Sequence, residues 1–344
     1  MTSLPPRADQ PTSPPDTTSA PSARLPGVDV PLSRLVLGTM TFGDTVDATG
    51  AARLLDLALD AGMTGVDTAN AYATGVTEDL LGDLLPGRRD RIVLATKAGM
   101  PHPDHGDHAP LSAPGLRASL DGSLRRLKVD HVDLFYLHQP DRRTPIRETL
   151  GAVADLVTEG KIRALGVSNF AAWQIAEVNH AAEAVGAPRP VVAQQLYNLV
   201  ARRVEEEYLE FAPIGGLLTM VYNPLAGGLL TGRHHLGEEP SSGRFGDSRL
   251  AGMYRQRYWD PQLFEAVTAL ARVAGESGIG LVELSLRWLL GRDGVDALLL
   301  GASNEEQLSA NLAAAQAGPL PSDVIDACDA VGTRLRGPMP AYNR

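Results

Sequence analysis

Four polar side chains attract notice because of where they fall. Asp67 closes Gly65-Val66-Asp67, Lys97 follows the run Ile92–Thr96, and His138 follows Val132–Leu137. Tyr72 comes five residues after Asp67. Short apolar runs rich in β-branched residues read as buried strands. A charge at the end of such a strand is costly unless something pairs with it. Singly, each has an ordinary explanation: Asp67 could cap a helix, Tyr72 could fill a core, Lys97 could be solvated, His138 could be a satisfied core histidine. Together, at successive strand ends, they would bring a carboxylate, a phenol, an ammonium and an imidazole to one rim. The chemistry this suggests is proton donation to a carbonyl. A tyrosine with its ordinary pKa of about 10 is a poor acid at neutral pH. A neighbouring ammonium should lower that value. Asp67 would hold Lys97 and keep it charged, and His138 would hydrogen-bond the carbonyl and aim it. The missing reductant must be a cofactor.

The elements that would position these groups alternate along the chain. Strand candidates are Leu35–Leu37, Thr64–Thr68, Ile92–Thr96, Val132–Leu137, Ile162–Val167, Val191–Gln194, Leu217–Tyr222 and Ala297–Leu300. Between them apolar residues recur at helical spacing, as in Leu116, Leu120, Leu124 and Leu127. Strands alternating with helices imply a parallel sheet. Eight such units predict a closed (β/α)8 TIM barrel of the α/β class. An open dinucleotide fold would carry G-x-G-x-x-G after its first strand, and that motif is missing. On a barrel, the loops after strands form the active face. Two of them are long: His102–Leu111, and the segment from Arg233 to about Asp260.

The remaining composition narrows the class. The 344 residues carry a formal net charge of −10, which argues against nucleic acid as a partner. The single cysteine, Cys328, permits no internal disulfide and fits a reducing compartment. No apolar run approaches the roughly 18 residues of a membrane span. Residues 1–24 are rich in Pro, Ser and Thr, lack the apolar segment of a secretory signal, and read as a disordered tail. Residues 25–344 read as a single domain, and a cytoplasmic location is expected. His102, Asp104, His105, Asp107 and His108 could suggest a metal site, but they lie in one loop rather than on a fixed scaffold. A solvated polar loop is the expectation, with no metal.

These features resemble the aldo-keto reductase superfamily, whose tetrad is Asp, Tyr, Lys and His. The likeness extends from about Arg34 to the C-terminus. It implies Asp67, Tyr72, Lys97 and His138 as catalytic, with Asp67 also at the cofactor. Within Gly166-Val167-Ser168-Asn169-Phe170, it implies Ser168 and Asn169 as ligands of a nicotinamide carboxamide, completed by Gln194, with Tyr222 stacking on the ring. The run from Asn223, Pro224 and Leu225 through Gly227 to Arg233 matches the loop over the pyrophosphate. Arg244 looks like a further phosphate contact, and Ser303, Gln307 and Asn311 match the adenosine end. The implied cofactor is NADPH.

Segments Asp133–His138, Ala171-Ala172-Trp173 and Met253–Trp259, with the chain's ending, are similar to the aflatoxin-aldehyde and succinic-semialdehyde reductase branch. In that branch two arginines hold the substrate carboxylate, which implies Arg257 and Arg344 here, with Met40 as an apolar wall beside Tyr72 and His138. The resemblance therefore implies reduction of a small aldehyde, carboxylate-bearing or a dialdehyde. The His102–Leu111 loop and the ending Tyr342-Asn343-Arg344 depart from relatives. Potassium-channel β-subunits also resemble the chain, so a cofactor-binding regulatory subunit is the alternative, as is a keto-sugar reductase. A homodimer is an open expectation.

Overall fold

The structure is a computed structural model and describes residues 21–338. Eight parallel strands close on themselves: β3 (Leu35–Gly38), β4 (Gly65–Asp67), β5 (Val93–Ala98), β6 (Val132–Leu137), β7 (Ile162–Ser168), β8 (Val192–Leu196), β9 (Leu218–Tyr222) and β10 (Ala297–Leu300), with β10 pairing both β9 and β3. The expected (β/α)8 barrel is therefore the fold. Before it, β1 (Pro21–Ala23) pairs antiparallel with β2 (Leu32–Ser33). Pro21–Ala23 belong to the stretch 1–24 that composition reads as a tail. Pro and Ser dominate that stretch's composition, and composition does not register a three-residue strand whose partner lies nine to twelve residues on.

Successive side chains on a strand face opposite sides, and the barrel uses that alternation twice. Val36, Val93, Ala95, Leu134, Tyr136, Ala164, Val192, Met220, Ala297 and Leu299 form one buried cluster, and Leu25, Val28 and Leu32 of the N-terminal segment pack with them. The alternate set, including Leu37, Val66, Leu94, Phe135, Leu137, Leu165, Val167, Ala193 and Val221, joins the helices in the larger core. Continuing the inward series toward the C-terminal ends replaces apolar residues with polar ones: Val93, Ala95, Lys97 on β5; Leu134, Tyr136, His138 along β6; Ala164, Gly166, Ser168 on β7; Val192, Gln194 on β8. The barrel floor is apolar and its mouth is polar.

Each strand is followed by the expected helix, from α1 (Ala48–Asp60), α2 (Val76–Leu84), α3 (Ala113–Leu127), α4 (Ile146–Thr158), α5 (Ala172–Val185) and α6 (Tyr208–Ile214) to α7 (Ala251–Tyr258), α8 (Pro261–Glu276), α9 (Leu281–Leu290), α10 (Glu305–Gln316) and α11 (Ser322–Arg336). Their starts are fixed by side-chain caps where the sequence supplies them: Asp47 for α1, Ser112 for α3, Asp260 for α8 and Asn304 for α10. The long segment after β9 is not wholly irregular, because it folds a short 3₁₀ turn at Gly243–Phe245 and then α7. Among the described residues no helix is long and apolar enough to cross a membrane. Cys328 is buried on α11, and burial pushes its thiol up to about 11, so it is an inert packing group.

Candidate active site

Lys97 lies at the centre of the mouth, fully buried, with three partners. Its Nζ is paired with Asp67, donates to the Thr68 carbonyl at 2.9 Å and meets the Tyr72 hydroxyl at 3.1 Å. Gln194 Nε2 donates to the other Asp67 oxygen at 2.9 Å. Asp67 and Lys97 come from adjacent strands β4 and β5, so the pairing follows from register. The ladder also runs past the end of β6, where the His138 amide donates to the Ala98 carbonyl at 2.8 Å. This sets the His138 ring edge-on to Tyr72, with centroids 6.0 Å apart. Tyr72 is half-buried, whereas the nearby Tyr136 is fully buried below Lys97. Only the first phenol can meet a substrate.

Burial sets the electrostatics. It works against the Lys97 ammonium, but Asp67 and Tyr72 outweigh it and hold the lysine above its ordinary pKa. Burial pushes the Asp67 carboxyl up, against the pull of Lys97 and Gln194. With Lys97 firmly charged, the ion pair is the state at neutral pH. For His138, burial and then Lys97 hold the imidazole well below its ordinary value, so it is neutral. Burial raises the Tyr72 phenol, and Lys97 offsets this only in part. Burial thus opposes the lowering expected from Lys97. Tyr72 therefore keeps its proton at neutral pH, with the Lys97 ammonium beside its hydroxyl.

A second group of polar residues continues the rim. Ser168 is buried at the end of β7, and Asn169, left-handed at φ 63°, donates to its hydroxyl at 3.1 Å and to the His138 carbonyl at 2.9 Å. The Tyr222 hydroxyl donates to Asn169 Oδ1 at 2.6 Å. The adjoining loop is held through Asn223, whose carbonyl accepts from Asn198 at 2.9 Å. Asn223 Oδ1 accepts from the Gly227 amide at 2.7 Å and its Nδ2 meets Tyr258 at 2.9 Å. Gly227 is required here: its φ is 69°, and a Cβ would lie 2.5 Å from the Tyr254 ring. Pro224 and Leu225 form the same turn. Asn198 escaped the sequence reading, and Tyr254 and Tyr258 entered it only within Met253–Trp259 and without a role, although their i, i+4 spacing on α7 puts them on one face.

These residues fit an anionic dinucleotide. Arg244 Nη1 is buried without a hydrogen-bond partner among the described residues, while its guanidinium rests 5.5 Å above the Tyr254 ring. Such an orphaned cation fits a phosphate. Arg233 comes within 3.5 Å of where a Gly228 Cβ would stand, on the same loop. Gln307 and Asn311 lie one turn apart on α10, and Gln307 accepts from the amide of Ser303, just before the helix, at 3.0 Å. A cavity of about 320 Å³ opens beside Ser303 and is also lined by Asp47, Arg53 and Asn304.

Other expectations fare differently. Met40 packs against the core just past β3. Arg257 lies beside Tyr222: burial pushes that phenol up to about 12, and the Arg257 guanidinium pulls the other way. Arg344 lies outside the described residues. His102 and His105 are engaged in a turn, where the His102 amide donates to His105 Nε2 at 3.1 Å and the Asp104 amide to His102 Nδ1 at 3.2 Å. Among the described residues no group of three His, Cys, Asp or Glu side chains could hold a metal ion.

Comparison with known proteins agrees with this geometry. Residues 34–333 match the Aldo/keto reductase family. Human Aldo-keto reductase family 7 member A3 is 40% identical, over 90% of this chain and 96% of its own. Human Aflatoxin B1 aldehyde reductase member 2 is also 40% identical, over 90% of this chain and 89% of its own. A probable voltage-gated potassium channel subunit beta from Oryza sativa subsp. japonica is 34% identical, over 87% of this chain and 93% of its own. With the family match spanning nearly the whole barrel, the chain belongs to the aldo/keto reductase family.

Proposed function

We propose that the protein reduces aldehydes to primary alcohols with NADPH, that Tyr72 is the proton donor, and that aldehydes with a distal carboxylate are preferred. When bound, NADPH supplies hydride to the carbonyl carbon. The chain supplies the rest. Neutral His138 donates a hydrogen bond to the carbonyl oxygen and orients it. Tyr72 gives its proton to that oxygen as negative charge builds there. Lys97, 3.1 Å away, stabilises the phenolate left behind, and Asp67 keeps Lys97 in place. Ser168, Asn169 and Gln194 would hold the nicotinamide amide and Tyr222 would face the ring. Arg233 and Arg244 would neutralise phosphates, and Ser303, Gln307 and Asn311 would meet the adenosine end. Arg257, beside Tyr222, supports a carboxylate contact on the substrate side, with Arg344 as its proposed partner.

The observation that carries this reading is the half-buried Tyr72 hydroxyl on a fully buried lysine, edge-on to His138. The relatives named for aldehyde reduction support it. The test is Tyr72→Phe, assayed by NADPH oxidation with butanal and succinic semialdehyde. Most activity should vanish, since general acid catalysis is worth about 10²–10⁴-fold, while NADPH affinity stays nearly constant. Near-full activity would transfer the proton to another donor. The channel-subunit relatives support a second reading, which NADPH binding without turnover of any aldehyde would favour.

A further inference from the structure

The turn that carries Tyr72 has an uncommon backbone. Ala73, Thr74 and Gly75 are all left-handed, with φ of 45°, 55° and 94°. Two of them are not glycine, and such a conformation persists only where the surroundings over-determine it. Those surroundings include a largely buried chain of charged groups, anchored on fully buried Glu78, that the proposed reaction does not use.

The chain starts at Glu78, fully buried in the first turn of α2. One of its carboxylate oxygens accepts from the Thr96 hydroxyl at 2.5 Å and the other from Arg126 Nε at 2.9 Å. Thr96 is the strand neighbour of Lys97 and faces outward where Lys97 faces inward. The two remaining Arg126 nitrogens form a fork on Asp104, at 3.1 and 2.7 Å. Asp104 in turn lies 3.0 Å from His102 Nδ1. The Arg126 side chain also lies against the turn itself: a Cβ on Gly75 would stand 2.9 Å from its Cδ and Nε. One guanidinium therefore touches the turn after Tyr72, binds the helix that follows it, is tied through Glu78 to the neighbour of Lys97, and holds the loop after β5.

We propose that Arg126 is a positioning residue. With Glu78 and Asp104 it clamps the Tyr72–Gly75 turn, so that the phenol stays within hydrogen-bond reach of Lys97. This gives the histidine-bearing loop His102–Leu111 a task, because its 3₁₀ turn delivers Asp104 to the free side of the fork. The bidentate geometry matters, since a planar fork fixes direction as well as distance and a lysine cannot replace it. The proposal rests on the reading of Tyr72 as proton donor.

A merely structural ion pair would affect stability and leave the contribution of Tyr72 untouched. The experiment uses the full chain with saturating NADPH and compares Arg126→Lys and Asp104→Asn, each alone and combined with Tyr72→Phe. Both variants leave a cation beside buried Glu78, so the fold is retained. Each should lower kcat about tenfold, because misplacement of a reacting group by an ångström costs up to about 10²-fold. Aldehyde KM and NADPH affinity, followed by fluorescence titration, should stay constant. In the Tyr72→Phe background the same substitutions should cost nothing further, since they act through the missing hydroxyl. Equal losses in both backgrounds, or unchanged kcat in the single variants, overturn the clamp. If Tyr72→Phe is inactive and the clamp variants are fully active, only the clamp falls. If Tyr72→Phe keeps full kcat, the proton-donor reading falls with it.

Discussion

Replacing Lys97 by Met separates the two things this lysine does. The side chain is fully buried, and its Nζ lies 3.1 Å from the Tyr72 hydroxyl. A unit charge at that separation is worth about 5 kcal/mol to a phenolate at an effective dielectric constant of about 20. The Asp67 carboxylate on the same ammonium cancels part of this, leaving roughly 2–3 kcal/mol, or about 10²-fold in kcat. The substitution also strands Asp67, which is 1% exposed and keeps only Gln194 as a side-chain partner. Breaking a buried pair costs about 3–5 kcal/mol, on the order of 10 °C in Tm for a domain of this size. That cost depends on pH in a definite direction. Burial without a cation raises the Asp67 pKa, so the variant keeps its stability below the ordinary carboxyl value of about 4 and loses it as pH rises through the raised value. The Tm gap between the parent and Lys97→Met should therefore be small near pH 4 and wide near pH 7.5. Adding Asp67→Asn should restore Tm at pH 7.5 without restoring kcat. A gap that does not change with pH, or a double variant that regains activity, refutes the charge argument.

Three further outcomes follow from the same geometry. Arg244→Met should weaken NADPH binding by about 10–150-fold, the worth of one charge-assisted hydrogen bond, and NADH binding less, as read by fluorescence titration; equal losses would place Arg244 away from the 2′-phosphate. Arg257→Met should raise KM about 10–150-fold for succinic semialdehyde and leave butanal nearly unchanged, because a remote carboxylate is held alike in ground and transition states; equal effects on the two would remove the carboxylate contact. Because His138 is neutral far below its ordinary pKa and Tyr72 keeps its proton above its own, kcat/KM should be flat from about pH 6 to 9 and fall only above. A limb near pH 6.5 would show a histidine titrating in the site.

The barrel was legible because its signal repeats: each apolar run, read at period two or 3.6, agrees with its neighbours. The meeting of Asp67, Tyr72, Lys97 and His138 at one rim was legible because charge at the end of a buried strand breaks that pattern. Other parts carried no such signal. The β1 strand is three residues in a Pro-rich stretch, and only its partner nine to twelve residues on makes it a strand. Asn198 and Tyr258 come from two separate segments to hold Asn223, and no spacing announces that meeting. Glu78 and Arg126 read as ordinary helix residues, because their burial depends on how α2 and α3 lie over β5. The direction of the Tyr72 shift was also beyond the sequence, since it depends on how much water the mouth excludes. Local chemistry showed which group faces the phenol, and only the packed structure showed which effect wins.

The layering of the barrel interior explains why these groups stand where they do. Below the mouth the inward positions are Val36, Val93, Leu134, Ala164, Val192 and Leu299, which fill space without polar atoms. Toward the C-terminal ends, β4, β5, β7 and β8 present Asp67, Lys97, Ser168 and Gln194, all buried. Apolar residues of similar volume at Asp67 and Lys97 would pack as well or better, because a buried pair seldom repays its lost hydration. Stability alone therefore does not account for this layer. The break in the apolar pattern falls at the C-terminal ends of the strands, the face where barrels place their chemistry. Its members are tied to one another: Gln194 holds Asp67, Asp67 holds Lys97, and Lys97 meets Tyr72. A layer that costs stability and leaves its last member half-exposed is what the proposed reaction at Tyr72 requires, and the apolar layers beneath hold it in position.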